Sequence, residues 1–321
     1  MKAKPLASVS LDLDNQWSYM KTHGDAGWES YPSYLNVFVP YALEALDALG
    51  LKVTFFVVGQ DAALDRNREP LGLLSGRGHE VGNHSYHHEQ WMHTFTRDEI
   101  KREIVESAEA IERVTGKRPD GFRGPGFTWS TTMLEVLQEE GYRYDASTLP
   151  TYLGPLARRY YFRSASLSKE EMEKRKNLFG GFGEGRRAVK PYLWKLASGK
   201  TLLEIPVTTI PGIKTPFHLS YLLHLSRYST RLMLAYLETA LGLCRLTGTE
   251  PSFLLHPLDL IGPEQAPELA FFPGMDVPAP RKLEVFNRVL QALGRQFHLV
   301  PMGEHARRIL DGPLPTRAAH A

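Results

Sequence analysis

Short β-branched and aromatic runs alternate along this chain with segments of helical period, and no other feature constrains the fold as much. Val9 to Leu13, Leu51 to Val58, Glu80 to His84, Gly121 to Arg123, Tyr142 to Asp145, Leu202 to Val207, Ser252 to Leu255 and Phe297 to Val300 read as strands. Between them, Tyr34 to Leu49 has helical spacing, and Thr96 opens a helix with Glu99 completing a capping box and Gly116 closing it. Ser130 caps a further helix to Glu140. Alternation of this kind implies parallel βαβ units. Seven or eight such strands predict one α/β domain over residues 1–321, closed into a distorted (β/α)7-8 barrel rather than left as an open sheet.

Bulk properties narrow the function classes. Apolar content of 42% with 23% charged residues is that of a soluble globular chain. Cys244 is the sole cysteine, which excludes an internal disulfide and a thiolate zinc cluster. No uninterrupted apolar run reaches about 18 residues. Leu219 to Leu246 is broken by His224, Arg227, Arg231, Glu238 and Arg245 and reads as a buried or groove-lining helix. Without an apolar leader near Met1 to Leu6, the expected compartment is the cytoplasm.

Charge is unevenly placed. Residues 151–200 carry 12 Lys or Arg against 4 Glu, a local +8 in a chain of net +2, so the remainder holds about −6. This basic segment reads either as a solvated insertion or as an electropositive lid or wall for a phosphate-bearing substrate. Peripheral contact with an anionic membrane at its inner face is the other use of such a segment. Phe179 to Gly185 (FGGFGEG) reads as a flexible loop within it. The basic excess has no accompanying nucleic-acid recognition motif.

In an α/β barrel the chemistry gathers where strands end, and there the sequence places residues that a core would not choose. The first strand ends Ser10-Leu11-Asp12-Leu13-Asp14-Asn15, two carboxylates projecting from one side. A capping role is the plain alternative to a catalytic pair. The third strand runs into Asn83-His84-Ser85-Tyr86-His87-His88. One turn of helix would bring His84 and His88 to one face within reach of a single ion, with Asn83 and Ser85 fixing the turn. Arg123-Gly124-Pro125-Gly126-Phe127 can aim backbone N–H groups into the barrel mouth, or be a simple βα turn. His256 ends an apolar strand, and Asp145, another strand-end acid, could partner it.

Taken in order, these motifs resemble the polysaccharide deacetylase superfamily, the NodB-homology or carbohydrate esterase family 4 fold. The resemblance covers about residues 7–150 and 200–260. The family's His-Ser/Thr-x-x-His motif matches His84, Ser85 and His88, its arginine motif matches Arg123 to Gly126, and its late Leu-x-His matches Leu254 and His256. The family's first motif has adjacent aspartates after a Thr-Phe pair. Here Leu13 separates them, which resembles members acting on small or lipid-linked substrates and the allantoinase-like branch. The fourth motif, usually Asp-Trp, is represented by Asp145 followed by Ala146.

The resemblance implies a NodB-type barrel and an amide hydrolase that removes an acetyl or formyl group from a sugar. Asp14, His84 and His88 would hold a divalent ion, with zinc expected, and Asp12, oriented by Arg123, would be the general base. Gly126 would offer an oxyanion N–H, and His256, held by Asp145, would protonate the leaving nitrogen. An N-acyl sugar on a nucleotide or polyprenyl phosphate suits the basic segment and the apolar stretch Phe217 to Cys244. Competing readings are an allantoinase-like cyclic ureide hydrolase, a catalytically silent carbohydrate-binding protein, and a haloacid-dehalogenase-type phosphatase on the Asp12-x-Asp14 pattern. The last has no use for His84 and His88.

Overall fold

The computed structural model describes residues 4–319 apart from 164, 166, 177 and 179. The described strands are β1 (Leu6–Leu13), β2 (Thr54–Val57), β3 (Glu80–Asn83), β4 (Gly121–Phe122), β5 (Tyr144–Asp145), β6 (Tyr192–Lys195), β7 (Thr201–Glu204), β8 (Ser252–Leu255), β9 (His298–Val300) and β10 (Thr316–Ala318). They form one sheet in the order β10-β6-β7-β5-β4-β3-β2-β1-β8, with β9 also on β1. Pairing is parallel except in the β6–β7 hairpin.

The chain after β7 curls the sheet round on itself. Val207 N donates to Thr148 O at 2.9 Å, Thr208 N donates to Ser252 O at 3.0 Å, and Ser252 N donates to Thr208 Oγ1 at 2.8 Å. An irregular segment thus stands where a further ladder would close the ring from β7 to β8. The result is the distorted (β/α) barrel that the alternating pattern predicts.

Alternation along β1 sorts the layers. Ala7, Val9, Leu11 and Leu13 belong to the large apolar core under the helices. Ser8, Ser10 and Asp12 face the barrel interior, where Ser8 meets His305 and the other two meet Arg123. Phe56, Tyr144, Leu203 and Ile205 form the barrel floor together with Met302 and Ala306 of the helix Met302–Leu310.

The anticipated helix boundaries recur at Leu35–Ala48, Arg97–Thr115 and Thr131–Glu139, with the Thr96–Glu99 capping box and the Ser130 cap both formed. Three expectations change. Leu219 to Leu246 is two helices, Leu219–Ser226 and Thr230–Thr247, because Ser229 turns out of helical geometry and its Oγ accepts Leu232 N. The stretch expected as a flexible loop contains a 3-10 turn, Phe182–Arg186, while Phe179 lies outside the described residues. The basic segment also contributes β6, which carries β10 on its outer edge. Among the described residues, no helix is long and apolar enough to cross a membrane.

Candidate active site

Strand register brings the motifs to one rim. Leu11 pairs with Leu255, Leu13 with Val57, Val57 with Asn83, Asn83 with Phe122, and Phe122 with Asp145. The residues that follow each pair, Asp12 beside His256 and then Asp14, His84 and Arg123, therefore emerge together at the carboxyl ends of the strands.

Arg123 is fully buried, and its Nη1 donates to Asp12 Oδ1 at 2.5 Å and to Ser10 Oγ at 2.9 Å. Its Nε donates to Ala146 O at 3.0 Å, and its Cζ lies 4.3 Å from the centre of the Phe56 ring. The guanidinium is held from three sides, so one oxygen of Asp12 is fixed in direction. A carboxylate oriented in this way is suited to accept a proton.

Asp14 Oδ1 lies 3.4 Å from His84 Nε2 and 2.9 Å from His88 Nε2. Neither approach has hydrogen-bond direction, and that buried oxygen is otherwise without a partner among the described residues. His84 Nδ1 is 2.6 Å from Arg123 O. A carbonyl only accepts, so Nδ1 carries the proton and the Nε2 lone pair faces Asp14. A lone pair and a carboxylate oxygen so placed repel unless a proton or a metal cation lies between them. One ligand atom from each of Asp14, His84 and His88 falls within 4.8 Å of the other two. Three N and O donors of this kind suit a catalytic divalent ion with positions left open. Burial alone would push Asp14 up, but His88 and His84 outweigh it and hold the carboxyl well below the usual carboxylate range.

The two histidines are not on a helical turn. Residues 84–89 form an irregular loop in which Ser85 (φ 62°) and His88 (φ 54°) both adopt left-handed backbone, uncommon for residues with a Cβ. Side chains from elsewhere shape it. Asn83 Oδ1 accepts Ser85 N at 2.9 Å, and Glu103 Oε2, from the helix Arg97–Thr115, accepts Tyr86 N at 3.0 Å and His87 N at 2.9 Å. Asn83 therefore has the expected role, whereas Ser85 Oγ is buried without a hydrogen bond among the described residues. The carboxylate of Glu103 supplies what a helix would have supplied through its own carbonyls.

His256 faces this centre from β8. Its partner is Asp259 rather than Asp145. Asp259 Oδ2 accepts His256 N at 2.9 Å and lies 3.8 Å from His256 Nδ1, which also contacts Ser220 Oγ at 3.3 Å. Burial would depress the imidazole, yet Asp259 and the more distant Asp12 and Asp14 raise it to about 8. His218 stands across from it, ring centres 6.0 Å apart, and burial followed by the His256 charge pushes it down to about 3. Asp145 is engaged elsewhere. Its Oδ1 accepts Ser147 Oγ at 2.5 Å, Ser147 Oγ accepts Gly124 N at 2.8 Å, and Glu204 shares its surroundings. Burial is the first cause raising both acids, with Asp145 at about 6 and Glu204 well above the carboxylate range. Asp145 thus braces the Arg123–Gly126 turn from behind.

Gly126 sits at φ 62° and ψ 21° in that turn. A Cβ there would meet Leu178 Cδ1 at 2.6 Å, so the basic segment packs directly on the turn. Asp259, Ser220, His218 and Glu103 escape a reading of the sequence, since each reaches the site from a segment without a motif. The Pro-x-Asp after His256 was the one available signal, as an acid three residues on can cap its strand end.

A barrel whose rim joins an Asp-His-His donor set to a buried Asp–Arg pair belongs to the class of α/β barrels with a candidate metal centre at the strand ends. Residues 24–144 match the family model for polysaccharide deacetylase. Helicobacter pylori peptidoglycan deacetylase is 27% identical over 170 residues, 51% of this chain and 55% of that protein. Bacillus subtilis peptidoglycan-N-acetylmuramic acid deacetylase PdaA is 31% identical over 111 residues, 34% of this chain and 41% of that protein. The chain thus spans about half the length of the curated relatives it matches. Among solved structures, a Mycobacterium smegmatis protein provisionally described as a polysaccharide deacetylase aligns over 100% of this chain and 99% of its own, with TM-score 0.60 and 19% identity. Puue allantoinase aligns over 95% and 90%, with TM-score 0.55 and 17% identity, a likeness of fold. Over residues 24–144 the chain is thus similar to polysaccharide deacetylases, the group that the order of its motifs resembles.

Proposed function

We propose that this chain is a metal-dependent hydrolase that removes an N-acyl group, acetyl or formyl, from a sugar. The observation that carries the reading is the convergence of Asp14, His84 and His88 beside the Asp12–Arg123 pair, with His256 facing them. Peptidoglycan deacetylase activity in the names of its relatives supports the acyl-sugar class.

Asp14, His84 and His88 would hold the ion, with zinc the expected metal for such donors. A divalent ion there supplies Lewis acidity toward the amide carbonyl. Asp12 takes the proton of the attacking water, its carboxylate oriented by Arg123. The Gly126 N–H is a donor for the developing oxyanion, a contribution of roughly 3–4 kcal/mol in comparable sites. His256 delivers its proton to the leaving nitrogen, which departs poorly until protonated, and Asp259 stabilises the imidazolium beforehand. Base and acid thus come from different chain segments, β1 and the residue that follows β8.

In this reading the basic segment 151–200, whose Leu178 packs on the Gly126 turn, serves as a wall of the site and favours a sugar carried on a nucleotide or lipid phosphate. The test is release of acetate or formate from N-acetylglucosamine 1-phosphate, its N-formyl analogue and a UDP-linked N-acetyl sugar by the zinc-loaded chain, with allantoin as comparator. Turnover of allantoin with none of the sugars would replace this reading by the cyclic ureide one.

A further inference from the structure

Beside Leu178, the residue that packs on Gly126, the basic segment forms an open cavity of about 420 Å³. Its walls include Arg158, Arg159, Arg175 and Lys176, with Phe162 and Met172 as apolar surface, and among the described residues no acidic one lines it. Two observations distinguish it from an ordinary basic surface. Arg158 is half-buried, and its hydrogen bonds among the described residues go to neutral carbonyls, Leu178 O at 2.9 Å and Gly180 O at 3.4 Å. Burial alone lowers its pKa, with no carboxylate opposing it. A half-buried guanidinium bonded to neutral carbonyls alone keeps its charge available to an anion. The cavity is also anchored to the catalytic region. Arg175 donates to Thr22 O and Lys21 O, each at 3.0 Å, in the helix Gln16–His23 that begins two residues after Asp14, and its Cζ lies 5.2 Å from the Trp91 ring centre.

We propose that this cavity binds the phosphate group of the substrate, one side-chain layer from the catalytic turn, while Phe162 and Met172 accept an apolar carrier. The proposal deepens the N-acyl sugar reading and rests on it for the word substrate, but phosphate binding can be measured without turnover. A phosphate ester offers the oxygens that guanidinium groups grip in pairs. Its source is either a soluble sugar phosphate or a lipid headgroup.

The probes are inorganic pyrophosphate, titrated calorimetrically into the full chain, and phosphatidylglycerol-containing vesicles in a sedimentation assay. The variants are Arg159→Glu with Lys176→Glu, both exposed, and separately Arg158→Gln, each checked for an unchanged melting temperature. Arg308→Glu, exposed and outside the segment, is the control. The expected result is pyrophosphate binding weakened about tenfold or more by the cavity variants and not by the control. Vesicle binding with that same variant profile, without pyrophosphate binding, supports the site and assigns its source to a lipid headgroup. Binding of neither probe, or equal loss in the Arg308→Glu control, overturns the proposal. Absence of acyl release alongside variant-sensitive pyrophosphate binding overturns the hydrolase reading and leaves the phosphate site standing.

Discussion

Arg123 Nη1 meets Asp12 Oδ1 at 2.5 Å inside the barrel, across 111 positions of sequence and with the guanidinium wholly removed from solvent. An arginine so placed has no role without its carboxylate, and the carboxylate has no fixed direction without the arginine. Asp12→Asn keeps the shape and removes the proton acceptor. Turnover should fall by about 10²–10⁴ with metal stoichiometry unchanged, as read by acyl release and elemental analysis together. An equally active Asp12→Asn chain would remove the base assignment. Arg123→Leu leaves a buried carboxylate unpaired and should cost about 3–5 kcal/mol in denaturant unfolding.

Metal binding follows from the donor set. The chain should bind about one zinc ion per molecule, and Asp14→Ala, His84→Ala or His88→Ala should each lower affinity by about 10²-fold or more. Calorimetric titration of chelator-stripped protein reads this directly. A stripped chain whose zinc isotherm is the same in Asp14→Ala as in the unaltered protein would exclude Asp14 as ligand.

The acid has a pH signature. His256 is raised to about 8, so it is protonated below that value and loses its proton as pH rises through it. Turnover should therefore decline on the alkaline side. Asp259→Asn removes the carboxylate that raises it and should move the alkaline limb to lower pH, while Asp145→Asn should leave the limb in place. A limb shifted by Asp145→Asn alone would reverse the assignment of the partner.

Gly126→Ala tests the turn. At φ 62° the added Cβ is strained and meets Leu178 Cδ1 at 2.6 Å. The backbone strain is about 1–2 kcal/mol, seen as a lowered unfolding midpoint, and the displaced N–H should lower turnover by about 10²-fold. A fully active Gly126→Ala chain would show that this N–H donates to nothing in the reaction.

The parts legible in the sequence were those written in short range. Asp12, Asp14, His84, His88, Arg123 and His256 each follow a strand signal, so the strand pattern that locates the barrel rim also locates them. What escaped depends on chain segments meeting in space. Glu103 replaces the helical turn expected at His84, and the left-handed Ser85 and His88 carry no helix-breaking residue to announce them. Asp259 displaced Asp145 as partner because proximity at strand ends does not reveal which way a carboxylate turns, and Ser147 and Glu204 had already turned Asp145 inward. Among the described residues, edge strand β10 pairs with β6, whose own run Tyr192 to Lys195 lay inside a segment read for its charge.

Met302 lies beneath the guanidinium of Arg123, its Sδ 3.5 Å from Nη2, and its N–H is tied to Thr54 Oγ1 at 2.7 Å. The helix it opens is a stopper in the bottom of the barrel, and it follows every proposed ligand along the chain. A nascent chain released before residue 302 would already hold every proposed ligand, but solvent could enter from below and screen the proton acceptor. Readiness for chemistry is thus tied to completion of a helix that supplies no reacting group.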